Sequence, residues 1–549
     1  MPKQKNRIRP VFVALGVIAA GLCAAIAVAA PQSQPAGVRL LTESEYRNSI
    51  ADIFGPTIAV QGRFEPGRRI GGLLASSTTV LSVTPAGFEA FSKMADSIAV
   101  QVVDPKNRTK LVPCAPKVEK GSDTNCASKV LGQYGRLLFR RPLTSEELKS
   151  RVDLADKLAK SSNEFYYGIR YSLGTLLSAP EFLFRTELSV PEGKQYTLDS
   201  YSRAARLSFL MWDTAPDGEL LRAADSGELM TSEGVSKQVD RLMASPRLES
   251  GMRAFFADML QLDTFADITK DVQIYNKFTP QMASSAQEET LRTVIDLTLK
   301  QNQDVRDLMT TRKTYLDRTL SSIYKVPFNS DTDWMPYEFP ASAGRNGILT
   351  QASMLAMFSH PGRSSPTKRG VALMDIFLCE PTPLPPANVD FSIVNDVNNP
   401  KLRTVRDRLL AHATNPTCAS CHTHSDPIGL SLEHFDSLGS SRLTENGQTI
   451  DDSAKIGNKS FVGAEGLATY LHDNPKVPAC LARKLYSYGV GTSSEDVNPN
   501  QFKAAYKSFA DGGYRLRTLL KGLATSPEFY SAPAPTPAST EGPTKTASR

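Results

Sequence analysis

The sequence predicts a mainly α-helical chain built from several packed segments. Three observations carry this. Apolar residues recur at helical spacing: Met252, Phe255, Phe256, Met259 and Leu260 fall at i, i+3, i+4, i+7 and i+8, and Phe502, Ala505, Tyr506 and Phe509 repeat the pattern. Capping-box spacing marks helix starts at Thr42-Glu43-Ser44-Glu45 and Thr144-Ser145-Glu146-Glu147. Strand-like alternation is sparse, and 549 residues exceed a single ordinary core, so roughly two to four packed units are expected.

The chain begins with an export signal. Lys3, Lys5, Arg7 and Arg9 precede an apolar run from Val11 to Ala30, and Ala27-Val28-Ala29 offers the small residues that a signal peptidase reads. Residues 1–29 are therefore expected to be a cleaved signal peptide. The run is also long enough to span a bilayer, so an uncleaved membrane anchor is the alternative. In both cases the positive end stays inside, and the bulk of the chain becomes periplasmic or otherwise extracytoplasmic. Those four basic residues account for most of the formal net charge of +6. The remainder is nearly balanced, which gives no electrostatic case for a nucleic-acid partner. With 41% hydrophobic and 22% charged residues, the composition is that of a globular protein.

Punctuation then divides the chain. Helical domains are expected over 39–110, over 115–190 with Arg140-Arg141-Pro142-Leu143, and over 195–325 from Tyr196-Thr197-Leu198-Asp199. A helical segment over 340–395 ends in Cys379-Glu380-Pro381-Thr382-Pro383-Leu384-Pro385-Pro386, a proline cluster that reads as an extended strap. Residues 400–530 hold the last helices, including the stripe Leu481, Leu485, Tyr488 with Gly489 as its expected C-cap. Residues 531–549, rich in Pro, Ala, Thr and Ser, read as a disordered tail. Leu173–Leu177 followed by Ser178-Ala179-Pro180-Glu181-Phe182 is echoed by Leu516–Leu520 followed by Thr525-Ser526-Pro527-Glu528-Phe529. The echo is too short to establish a repeat.

The chemistry is concentrated in Cys418-Ala419-Ser420-Cys421-His422. This C-x-x-C-H spacing is that of covalent c-type haem attachment. Two thiols three residues apart lie on one face of a helical turn and reach the two vinyl groups of one haem edge. His422 follows as the proximal iron ligand. A zinc site would need two further ligands of suitable spacing, for which His412 or His424 are available, and a thiol redox centre would expect a βαβ context. Residues 400–530 are accordingly expected to form a cytochrome c-like haem domain with one covalent haem c. Seven cysteines are present. Cys23 leaves with the signal and two belong to the motif, so Cys114, Cys126, Cys379 and Cys480 remain. In an oxidising compartment an even remainder suggests disulfides, with Cys114–Cys126 and Cys379–Cys480 favoured and buried thiols as the alternative.

With these residues in view, the chain resembles the planctomycete-type cytochrome c family, large exported bacterial proteins made of consecutive helical domains of unknown function. Arg39-Leu40-Leu41-Thr42-Glu43-Ser44-Glu45-Tyr46-Arg47-Asn48 resembles the family's opening domain, Arg140–Thr144 the second, Ala204–Trp212 the third and Ser364–Gly370 the fourth. The string Asp426-Pro427-Ile428-Gly429-Leu430-Ser431-Leu432-Glu433-His434-Phe435-Asp436 is similar to the family's most recognisable stretch, while His424-Ser425 departs from what relatives often carry. The resemblance implies c-type haem and supplies no substrate.

The expected function is electron transfer with a redox partner protein, alone or as the relay of a larger oxidoreductase. A haem-centred enzyme such as a peroxidase is one alternative. The other is a scaffold whose haem-free region, about 39–340, docks a polymer, a small molecule or a partner. No G-x-S-x-G, H-E-x-x-H or phosphate loop is present. Arg363, Lys368 and Arg369 are candidates for the haem propionates or for a solvated patch. Asp426, Glu433, Asp436 and Arg442 are expected to cap helices and fix the loop, with binding of the haem edge or an ion as the alternative. The sixth iron position cannot be filled by a downstream methionine, because the last one is Met374. His360 is the expected distal ligand, with Met357, His412, His472 or an open position as the alternatives.

Overall fold

The computed structural model describes residues 34–79, 83–383, 389–414 and 416–533. The expected signal peptide, Cys23, the end of the proline strap at Leu384-Pro385-Pro386 and most of the expected tail lie outside these. The described chain is mainly α, 57% helical with 9% strand. No helix among the described residues is long and apolar enough to cross a membrane.

Both capping boxes start helices. Thr42 and Glu45 close the N-terminus of Glu43–Phe54, and Thr144 and Glu147 that of Ser145–Ser162. These helices pack with Pro85–Val103, Thr124–Phe139 and Phe165–Leu177 around one apolar core. Phe54 stacks on Tyr134 with ring centres 4.6 Å apart, so the two N-terminal segments share that core. Arg140 ends its helix in the left-handed region, and its guanidinium donates to the carbonyls of Glu181 (2.6 Å) and Phe182 (3.2 Å).

A second core runs from the third segment to the end of the described chain. Met252, Phe255, Phe256, Met259 and Leu260 are all buried in it, in the same cluster as Leu481, Leu485 and Phe509. The C-cap expected at Gly489 is corrected: the helix Lys476–Val490 runs through it, and Gly491 takes the left-handed cap at φ 79°. Gly489 is small for packing instead, since a Cβ there would lie 2.6 Å from the Phe529 ring.

A four-stranded antiparallel sheet ties the two cores together and joins the first and last described segments, in the order Gln34–Leu40, Phe184–Glu192, Gln195–Leu198, Ser531–Ala532. The echoed strings both end a helix, continue as a short proline-started helical turn (Pro180–Leu183 and Pro527–Tyr530), and feed a strand of this sheet. Beneath it Arg185 pairs with Glu45 at 2.8 Å and Arg206 pairs with Glu187, all four side chains buried.

Two disulfides join Cys114 to Cys126 and Cys379 to Cys480. The second closes the chain around the entire C-x-x-C-H region. The motif itself lies in the helix Pro416–Leu430, crossed closely by Pro366–Leu373. Only glycine permits the crossing. A Cβ on Gly370 would sit 1.9 Å from the Ser425 carbonyl oxygen, and one on Gly429 would sit 1.8 Å from that of Pro366.

Candidate functional site

The site is built on the helix Pro416–Leu430, reached from the helix Val405–His412 by a short connection. Thr404 and Asp407 form a capping box that starts the shorter helix. Cys418 and Cys421 sit one turn apart and are both free thiols, although the other four cysteines among the described residues are oxidised. Both are partly exposed, as a group that must react with an incoming ligand has to be.

His422 is held by Asp426, one turn further on. Its Nδ1 donates to the Asp426 carboxylate at 2.8 Å, and the same carboxylate accepts from the Thr367 hydroxyl at 2.8 Å. Asp426 is buried, so water competes poorly for it. This hydrogen bond holds the His422 imidazole above its ordinary pKa. It also fixes the tautomer and leaves Nε2 without a hydrogen-bond partner among the described residues, which is how a metal-binding histidine is prepared. A cleft of about 540 Å³ opens beside His422. Leu409, Leu410, Pro427, Leu430 and Phe461 give it apolar walls, and Arg406 and Lys455 sit at its lining. Two free thiols a turn apart and an oriented imidazole beside an apolar cleft, which His422 lines and the two cysteines do not, fit covalent haem chemistry in their donor set: Cys418 and Cys421 would be the attachment points and His422 would bind the iron.

The candidate propionate ligands divide. Arg369 is 1% exposed and spends its guanidinium on the carbonyls of Leu432, Phe435 and Asp436 and on Glu433. It therefore binds the chain and is neither a propionate ligand nor a solvated group. Arg363 donates to Asn395 at 2.8 Å. Glu433 joins Arg369, Arg442 and Ser364, and Asp436 accepts from the backbone of Leu438 and Ser440, so these acids fix the loop that follows the motif helix.

The six histidines separate equally well. His424 is exposed, His434 pairs with Asp452 at 3.0 Å, and His472 lies between Asp307 and Asp473. His360 makes no ring contact with His422 among the described residues. Its pKa is pushed down to about 4 by burial and by the cations of Lys368, Arg363 and Lys270. The ring that meets His422 is His412, at 5.1 Å between centres. The capping role expected of Asp426 gives way to a bond with His422, which the i, i+4 spacing on a helix permits.

Comparison with known families assigns the chain segment by segment. Five family models match in order: Protein of unknown function (DUF1587) over 39–104, (DUF1595) over 126–187, (DUF1592) over 198–326, (DUF1588) over 345–445 and (DUF1585) over 457–529. The chain belongs to the planctomycete cytochrome c family. No curated protein and no solved structure matches it. The family match over 345–445 contains the Pro366–Leu373 helix, His412 and the C-x-x-C-H helix together. The glycine crossing and the Asp426–Thr367 bond therefore lie within one family segment of this planctomycete cytochrome c chain.

Proposed function

We propose that this chain is an exported c-type haem protein that transfers electrons to or from a redox partner protein, alone or as the relay of a larger oxidoreductase. The observation that carries the reading is the C-x-x-C-H helix: two free thiols one turn apart, with His422 oriented by the Asp426 carboxylate. Cys418 and Cys421 would hold the haem by thioethers, and His422 would bind its iron. Bound there, haem supplies a one-electron couple. Asp426 accepts from the His422 Nδ1–H, and by doing so would make the imidazole a stronger donor to a bound iron and favour its oxidised state. Thr367 keeps the carboxylate in place, and the loop fixed by Arg369 and Glu433 holds the far end of the helix.

Export is part of the same reading. The basic and apolar N-terminal segment supports it, and so do two disulfides, which persist in oxidising compartments such as the periplasm. The test is attachment. Protein matured in a haem-attaching host and then denatured should retain haem stain and carry the mass of one haem, and Cys421→Ser should be mostly apo. Haem that leaves in acid acetone rejects the reading.

A further inference from the structure

We infer that the cavity lined by Arg140 and Arg185 is a binding site for a small carboxylate ligand, which the unpaired edge of the Arg185 guanidinium would hold. The inference does not depend on haem. It concerns the body of the chain away from the C-x-x-C-H helix, and the string Arg140-Arg141-Pro142-Leu143, for which electron transfer has no use.

A cavity of about 220 Å³ lies where the helix Thr124–Phe139, the strand Phe184–Glu192 and the helix Ser200–Trp212 meet. Arg140, Arg141, Arg185, Asp199 and Ser202 line it, with the exposed Thr186 beside them. Arg185 is 4% exposed. Its Nη1 donates to Glu45 at 2.8 Å, and its guanidinium lies over the Phe209 ring at 4.5 Å. Its Nε and Nη2 are buried and have no hydrogen-bond partner among the described residues. These two atoms form an edge of the guanidinium that takes both oxygens of a carboxylate. The same chain uses that edge twice. Arg170 offers Nε and Nη2 to the two oxygens of Asp96, at 3.0 and 2.8 Å, and Arg206 offers them to Glu187.

The acids nearby are already committed. Glu187 is held by Arg206, and the second oxygen of Glu45 accepts from the Thr42 N–H at 2.9 Å. Asp199 caps its helix by accepting from the Ser202 N–H at 2.7 Å. Arg141 is matched by both oxygens of Glu147, at 2.9 and 2.8 Å. Arg140 has no carboxylate partner among the described residues; its guanidinium donates to the carbonyls of Glu181, Phe182 and Phe184. It lies over the same Phe209 ring as Arg185, at 5.9 Å. Burial and the Arg185 cation push Arg140 down to about 9. Two buried cations beside one cavity, one of them with an unfilled fork, call for an anion. The cavity is smaller than the roughly 300–1,000 Å³ of pockets for drug-sized ligands, so the ligand is a small organic acid.

The experiment titrates sodium acetate, succinate and citrate in turn into the full chain by calorimetry, at constant ionic strength in a buffer without carboxylates, with sodium phosphate as the comparison. At least one of the three acids is expected to bind saturably at a single site. Arg185→Lys keeps a cation for Glu45 but removes the fork, and should weaken that binding by about tenfold or more. Thr186→Trp sets a bulky ring at the exposed part of the lining and should abolish binding while leaving the buried pairs in place. Circular dichroism checks that each variant is folded, and should Arg185→Lys fail to fold, Thr186→Trp decides alone. Absence of saturable binding by all three acids overturns the inference, as does binding that neither variant weakens. Phosphate binding as tightly as the best carboxylate also overturns it, because the site would then be a general anion site.

Discussion

Breaking the Cys379–Cys480 disulfide should cost more than breaking Cys114–Cys126, and loop length sets the difference. The partners are 101 residues apart in the first case and 12 in the second. Cross-linking removes conformational freedom from the unfolded chain in proportion to the logarithm of the loop it closes. The chain-entropy relation gives about 4.7 kcal/mol for the long loop and about 3 kcal/mol for the short one. Cys379→Ala with Cys480→Ala should therefore lose roughly 2 kcal/mol more than Cys114→Ala with Cys126→Ala. Alanine is the right replacement, because Cys480 is buried and a serine hydroxyl there would add its own desolvation cost. The assay is urea unfolding without reductant. Circular dichroism follows the whole chain and tryptophan fluorescence follows the second core, against which both Trp212 and Trp334 pack. Equal costs for the two double variants would refute the loop-entropy argument. Peptide mapping that finds Cys379 and Cys480 as free thiols would refute its premise.

Further expectations follow from single contacts. Asp426→Asn should raise the haem midpoint potential by removing the carboxylate from His422, read by spectroelectrochemistry; an unchanged potential rejects the positioning role. Gly370→Ala would gain up to about 1 kcal/mol from helix propensity alone, yet its Cβ meets a carbonyl oxygen at 1.9 Å, so a net loss of about 1–3 kcal/mol is expected in chemical denaturation. A stabilised variant would show that the crossing yields. Glu289 is fully buried, receives hydrogen bonds from Tyr324 and Thr314, and is pushed up by burial to about 7. Because its folded pKa is the higher one, its contribution is complete below about 4.5 and is lost as pH rises through 7, by about 3 kcal/mol at most. Glu289→Gln should flatten that part of the stability–pH curve, and an unchanged slope between pH 5 and 7.5 would contradict the assignment.

The helical class, the capped helix starts and the spacing of the motif were legible in the sequence, because each depends on residues within a few positions of one another. Thr42 finds Glu45, Cys418 finds Cys421, and the 252–260 stripe faces one way, all through the period of a helix. The same local logic places Asp426 one turn beyond His422. Tertiary structure decided everything that depends on which distant segments meet. It packed two N-terminal segments into one core through Phe54 and Tyr134, and gathered the strand Gln34–Leu40 and the strand Ser531–Ala532 into one sheet. It buried Arg369 among backbone carbonyls and made Gly370 and Gly429 the crossing point of two helices. It also set His412 rather than His360 against His422. On paper the histidine nearly sixty residues before the motif, His360, is the expected distal ligand, and the one six residues before it, His412, is an alternative. Only the folded chain, with the Phe391 ring stacked on His412, brings one of them within 5.1 Å of the His422 ring.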